Sequence, residues 1–295
     1  MKVIAPVVIT AAQLVSSSVP EDEYLAYAAG TGYAVGARVI YANKIYESVQ
    51  TPNVGHQPDT SPLYWAAISA TNRFMMFDTE VSTQTVATGP LTVKLAPGVV
   101  ADSLSVLELD GSSISVSITD GPTGAVIYTY QRDLDATSLA DWYEYFTLPF
   151  KSTRQITLTN LPSTGAANVT IQILGSTVKC GYVILGNVSD LGLTQYNPTI
   201  GIIDYSRKET SATGVSTFVK RKFSRRMSAR FELATPELNR VQRTLADLRA
   251  TPCVWVGTEA PGFDTLTVFG FYKDFTIDVA YATSSFCSLE IEGLT

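Results

Sequence analysis

The sequence predicts a mainly β protein in three parts: a small β module, a β-sandwich or jelly roll, and a β-sandwich with a long ribbon and one packed helix. Three observations carry this. Thr, Ser, Val, Ile and Tyr abound, and these side chains suit a pleated, half-buried surface. Between residues 70 and 185, short alternating or β-branched runs recur about every 8–12 residues between turn signals. Only the segment 236–250 places apolar residues at clear helical spacing.

The 295 residues suffice for two or three domains, and 45% apolar content can build real cores. Charged residues are 16%, low for a chain that shows all its surface to water, so part of that surface is expected to be covered in an assembly. The net charge of −6 is uneven: residues 1–200 hold 9 basic and 16 acidic residues, residues 201–295 hold 12 and 11. An acidic front with a basic patch behind it suits contacts between copies. It does not describe a general nucleic-acid binder, which is basic overall. Cys180, Cys253 and Cys287 are odd in number and widely spaced, the pattern of buried free thiols in a reducing compartment. No stretch is long and apolar enough for a membrane-spanning helix.

In chain order, residues 1–30 contain Lys2 and an apolar run, but Pro6, Thr10 and Gln13 interrupt it and no small-x-small cleavage site follows. The segment reads as an arm or strand held by the body or by neighbours. Residues 31–69 form the small module: Arg38-Val39-Ile40-Tyr41 and Ile45-Tyr46-Glu47-Ser48 make a hairpin with Asn43 at its turn, and Tyr64-Trp65 cap a small core. Residues 70–185 supply "LSVLELDG", "SSISVSITD", "AVIYTYQRD", "YEYFTLPF", "RQITLTNL" and "NVTIQILG", each read as a strand of a sandwich. Residues 186–295 open on a ribbon. "STFVKRKFSRRMSARFEL" alternates, with Val219, Phe223, Met227, Phe231 and Leu233 on one face and Lys220, Lys222, Arg226 and Arg230 on the other. The helix 236–250 follows, with Thr235 as N-cap, Pro236 at its first position, a face of Leu238, Val241, Leu245 and Leu248, and Pro252 as its stop. Strands then return in an α+β plan.

Candidate chemistry is sparse. The glycines of "GTGYAVG" lack the third glycine of a dinucleotide loop, and a hairpin stands where a helix is required. The single histidine, His56, lies in a loop, with no Gly-x-Ser-x-Gly elbow and no ligand set for zinc. Asp133, Asp135, Asp141 and Glu144 gather near Trp142, which keeps a carboxylate-based polysaccharide hydrolase as a third reading. No catalytic residue, metal or cofactor is assigned. The run "KRKFSRR" favours a cationic strand face, with Lys220, Lys222, Arg226 and Arg230 toward neighbouring subunits, over nucleic-acid contact. Tyr33, Tyr41, Tyr64 and Trp65 are candidates for stacking on sugar; the competing reading makes such aromatics, Tyr46 and Trp65 above all, the core of the module.

At Tyr33, Gly36, Val39, Tyr41, Tyr46, Gly55, Pro58 and Trp65 the module resembles small chitin-binding-type carbohydrate-binding modules. The resemblance covers about an eighth of the chain and implies the fold and a sugar site. Val49 and Gln50 stand where that family carries exposed stacking aromatics. The C-terminal part resembles tailed-bacteriophage tail proteins of the distal-tail and tail-tube kinds. "IGIIDYSRKETSATGVSTFVKRKFS", the helix, "TPCVWVG", "FGFYKDFTIDV" and "CSLEIEGL" carry that resemblance. It implies a sandwich with a long ribbon and one helix that closes into rings.

Together these readings give a structural virion protein of a phage tail tip or baseplate, assembled in the host cytoplasm. Its expected partners are other tail or baseplate proteins, further copies in a trimer or hexamer, and host cell-surface glycan. The alternative is a dedicated carbohydrate- or receptor-binding adhesin of the virion.

Overall fold

The protein is described by a computed structural model covering residues 1–80, 83–135, 142–147, 152–162, 164–210, 213–260, 262–279 and 281–294, with the backbone alone at 144, 145 and 147. The chain is mainly β. It divides into two compact units, Val8–Ile184 and the pair of segments Met1–Val7 and Leu185–Thr295. The predicted N-terminal arm of residues 1–30 is thereby split. Strand β1 (Lys2–Pro6) belongs with the C-terminal unit, and β2 (Leu14–Ser17) pairs within the other.

In the unit Val8–Ile184, β3 (Arg38–Tyr41), β4 (Lys44–Ser48) and β5 (Trp65–Ala70) form a three-stranded antiparallel sheet. Ala42 and Asn43 turn the hairpin with φ of 47° and 63°, the left-handed pair that a two-residue turn of this hand demands. The remaining strands are β6 (Thr85–Thr88), β7 (Leu91–Leu95), β8 (Ser103–Leu107), β9 (Ser113–Thr119), β10 (Val126–Asp133), β11 (Gln155–Leu158), β12 (Asn168–Leu174) and β13 (Thr177–Cys180). Four of them join β2 in the order β10-β9-β12-β7-β2, while β8 pairs β11 and β6 pairs β13. Alternation sets the inner face of the larger sheet: Leu91, Val93, Leu95, Ile114, Val116, Ile118, Val169, Ile171 and Ile173 are all buried.

Helix α1 (Trp142–Thr147) occupies part of the run "YEYFTLPF" that was expected to be a strand. Its aromatics fall at spacings that suit either period, and the aromatic preference for strands is weak enough for context to override. Residues 148–150 lie outside the described residues.

Strand β14 (Tyr182–Asp190) carries the chain from one unit into the other. The C-terminal unit adds β15 (Leu193–Thr194), β16 (Thr199–Asp204), β17 (Arg207–Thr210), β18 (Ser216–Val219), β19 (Phe223–Ala234), helix α2 (Leu238–Asp247), β20 (Cys253–Val256), β21 (Thr267–Asp278) and β22 (Ser284–Gly293). Strand β1 lies between β14 and β20, and the order continues through β21 and β22 to β19, every pairing antiparallel. Strands β15 and β16 both pair with β19, one toward each end of it.

The core face collects Met227, Ala229, Phe231 and Leu233 from β19 with Cys287, Leu289 and Ile291 from β22. Trp255 joins them, wholly buried, its indole N–H donating to Gly270 O at 2.9 Å. Helix α2 closes this face with Val241 and Leu245 fully buried and Leu238 and Leu248 partly so, the four residues its period selects. Full burial of Val241 and of Leu245 is worth about 1.5–3 kcal/mol each relative to exposure. Thr235 does not cap the helix as expected. A 3₁₀ turn over Thr235–Glu237 precedes α2, and the Thr235 hydroxyl is buried without a hydrogen-bond partner.

Candidate functional site

The predicted ribbon is interrupted. Strand β18 pairs with β17, residues 220–222 carry no strand, and β19 begins at Phe223. The two ladders nonetheless follow one hairpin path. β16 pairs β19 from Thr199–Ser228 to Asp204–Phe223, and β17 pairs β18 from Arg207–Val219 to Thr210–Ser216. The joint between them is held locally. Tyr205 N donates to Lys222 O at 3.2 Å, and Arg221 N donates to Ser206 Oγ at 2.9 Å. The Ser206 hydroxyl and amide hold the Asp204 carboxyl below its ordinary pKa, with the charge of Lys220 acting in the same sense.

The ribbon outruns the core. Met227 is the last buried apolar residue toward this end of β19, opposite Ile200 on β16, and beyond it only Ser224 is buried on that strand. From Ile200 to Thr210 the path spans at most about 33 Å at the rise of a strand, because residues 205 and 206 interrupt it. On the continuation of the core face, Ile200, Ile202 and Phe223 are 50%, 62% and 48% exposed. In the outer hairpin Val215 and Phe218 are 64% and 78% exposed, and Thr210 and Ser216 join by their hydroxyls at 3.2 Å. Val219 and Phe223, expected on the apolar face of the ribbon with Met227, Phe231 and Leu233, lie beyond the core: Val219 is half-buried and Phe223 exposed.

The four predicted interface cations are all exposed, in different settings. Lys220 and Lys222 sit at the joint of the arm. Arg226 lies opposite Glu292 and across Gly201, where an added Cβ would stand 3.0 Å from its Nε. Arg230 is engaged within its own chain, 4.7 Å over the Phe286 ring and 3.7 Å from Asp278.

At the opposite end of β19 lies a cleft of about 880 Å³. Leu193, Tyr196 and Phe263, which are 71%, 98% and 53% exposed, give it an apolar wall over buried Leu233 and Leu266. Asp190, Glu232, Glu237 and Glu259 line it against Lys2 and Arg240, a side-chain balance of −2. Lys2 pairs Glu259 at 2.6 Å and Arg240 pairs Glu237, so Asp190 and Glu232 remain as carboxylates outside the ion pairs of the described residues. The Met1 ammonium donates to Gly192 O, and burial lowers its pKa against the opposing pull of Asp190. Sequence reasoning missed this cleft. The turn signal "YNP", with Asn197 at φ 67°, was its one local mark.

The aromatics of the small module pack on one another. Trp65 is 2% exposed; Tyr33 and Tyr27 meet it edge-on at 5.1 and 6.0 Å, and its indole N–H donates to His56 O at 2.8 Å. No face of Trp65 is open to a sugar, which corrects its place among the stacking candidates. Tyr33 and Tyr41 are half-buried against Tyr27, at 5.8 Å each, and the Tyr33 hydroxyl accepts from Ala28 N. Tyr64 is half-buried and stacks on His56 at 3.4 Å.

Of the carboxylates near Trp142, Asp141 and the side chain of Glu144 lie outside the described residues. Cys180, Cys253 and Cys287 are free and buried, and burial pushes each thiol up to about 12. No family model matches the chain, and a search of curated proteins finds no match to it.

Proposed function

We propose that this protein is a structural component of a bacteriophage tail tip or baseplate, assembling with copies of itself through its C-terminal unit and acting without turnover. The observation that carries the reading is the two-stranded arm of residues 202–210 and 213–225, beyond the pairing of β19 with β22, with Ile202, Val215 and Phe218 exposed along it. An isolated two-stranded ribbon is marginal in water, and its open edges invite pairing. A subunit that covers such an arm with a neighbour removes both liabilities. The resemblance to tail proteins supports the same reading, and the basic residues around the joint suit an ordered interface.

The test is detection of the chain in purified tail particles by mass spectrometry, with counting against a tail protein of known copy number. A fixed stoichiometry consistent with a trimer or hexamer is expected. Absence from tails, together with a strictly monomeric purified protein, overturns the proposal. The glycan-contacting role of the small module rests on the partial exposure of Tyr33, Tyr41 and Tyr64. A glycan array with the full chain checks it, and Tyr64→Ala is expected to abolish any signal. A signal unchanged by that substitution removes Tyr64 from the role.

A further inference from the structure

The geometry points to a specific head-to-tail contact: the β17–β18 arm of one copy docks in the cleft beside β15 of the next. This rests on the assembly reading above and specifies its interface. Arm and cleft lie toward opposite ends of one 12-residue strand, β19, because the arm leaves beyond Phe223 while Glu232 and Leu233 line the cleft. The arm runs away from the cleft of its own chain. Only a second copy can bring the two together.

The surfaces match in kind. Residues 205–222 carry Arg207, Lys208, Lys220, Arg221 and Lys222 against Glu209, a balance of +4, and the cleft's side chains balance to −2, or −1 with the Met1 ammonium. The arm presents Phe218 and Val215 to water, and the cleft presents Leu193, Tyr196 and Phe263. Lys208 stands beside Phe218 across the ladder, so an apolar anchor and a cation share one face of the arm. That pairing suits an apolar floor edged by Asp190 and Glu232. A contact between two different surfaces is heterologous: it closes into a ring when the rotation between copies allows, and otherwise grows as a filament.

Two variants of the full-length protein test this, both at exposed positions chosen to leave the fold intact. Phe218→Asp removes the anchor from the arm; Leu193→Arg sets a cation in the cleft against the basic arm. Each alone is expected to weaken self-association by at least about tenfold in sedimentation velocity, with an unchanged circular dichroism spectrum. An equimolar mixture is expected to form a 1:1 complex and nothing larger, because the intact arm of the cleft variant still fits the intact cleft of the arm variant. As a second readout, Phe218→Cys and Leu193→Cys introduced together are expected to give disulfide-linked ladders.

Assembly untouched by either variant, or a ladder that never forms while the protein still oligomerises, overturns the arm-in-cleft contact and leaves the assembly reading standing. In that outcome the cleft serves a small ligand or another tail protein. A wild-type chain that stays monomeric and is absent from tails overturns both.

Discussion

Replacing Trp65 by alanine separates the two roles an aromatic can have in the small module. Trp65 is 2% exposed, packs with Val39 and Tyr46, meets Tyr27 and Tyr33 edge-on, and donates to His56 O. A side chain of this size removes about 150–250 Å² from water, worth about 4–6 kcal/mol at 25 cal/mol per Å². Truncations of buried tryptophan cost about 3–5 kcal/mol because the neighbours partly collapse. We take about 4 kcal/mol. Spread over a chain of two units, that loss is local, so the assay must be local too. Amide exchange read by mass spectrometry on peptides spanning β3 to β5 is suitable. Ser48 N is bonded to Ala37 O, and Val49 N to Tyr64 O. If opening of the module limits their exchange, it accelerates by roughly three powers of ten, one for each 1.4 kcal/mol. Tyr64→Ala, at a half-buried position, is expected to change the same amides by less than about tenfold. Exchange in Trp65→Ala within a few-fold of the wild-type rate would refute the core assignment.

Three further outcomes follow from burial and close approach. The three thiols, all buried, are expected to resist a thiol reagent at neutral pH in the folded protein and to react fully in denaturant, counted by absorbance; rapid labelling of the native protein contradicts their burial. Asp78 is buried enough to raise its pKa above the ordinary 3.8, although the Thr83 hydroxyl and Glu80 amide bond the same carboxyl and pull the other way. Protonation therefore favours the fold, and the stability of wild type relative to Asp78→Asn is expected to fall as pH rises from 3.8 through the raised folded value. Parallel urea midpoints across that range would remove Asp78 as the source. At Gly270 an added Cβ would stand 2.1 Å from Glu292 O and 2.5 Å from Gly293 Cα, both backbone atoms of β22. Gly270→Ala is expected to cost at least about 1–3 kcal/mol, seen as a lower thermal midpoint, and an unchanged midpoint would show that the β21–β22 pairing yields easily.

Where a residue's local surroundings decide its fate, the sequence was a good guide. The helix face of Leu238, Val241, Leu245 and Leu248 followed from period alone, and the Ala42–Asn43 hairpin from turn chemistry. The alternating burial of "SSISVSITD" and "NVTIQILG" followed from the pleat. What failed depends on where the core ends. Phe223 and Val219 share the alternation that buries Met227, Phe231 and Leu233, yet they lie past the last element available to cover them. Alternation reports which face a residue takes and says nothing about whether that face has a partner. The same limit hid the cleft, because Met1, Leu193, Glu232 and Phe263 are far apart in sequence and are gathered only by pairing. Thr235 carried a capping signal, but the 3₁₀ turn moved the helix start past it.

The arm poses an energetic question that its own contacts do not answer. Ordering a residue costs about 1–2 kcal/mol of backbone entropy, and in the core of the C-terminal unit apolar burial offsets this. Along β17 and β18 every residue except Val219 is exposed, so the ladder alone opposes that cost. A ladder hydrogen bond contributes about 0.5–1.5 kcal/mol net, which leaves such a ribbon close to balance. Covering Phe218 would add about 1.5–3 kcal/mol, enough to set the order of the whole arm. The cations cannot do the same: exposed pairs contribute about 0–1 kcal/mol and weaken in salt. The division of labour then follows from chemistry. In the proposed contact the apolar anchor would determine how long two copies stay together, while Lys208, Lys220 and Lys222 would act on how fast and in which orientation they meet.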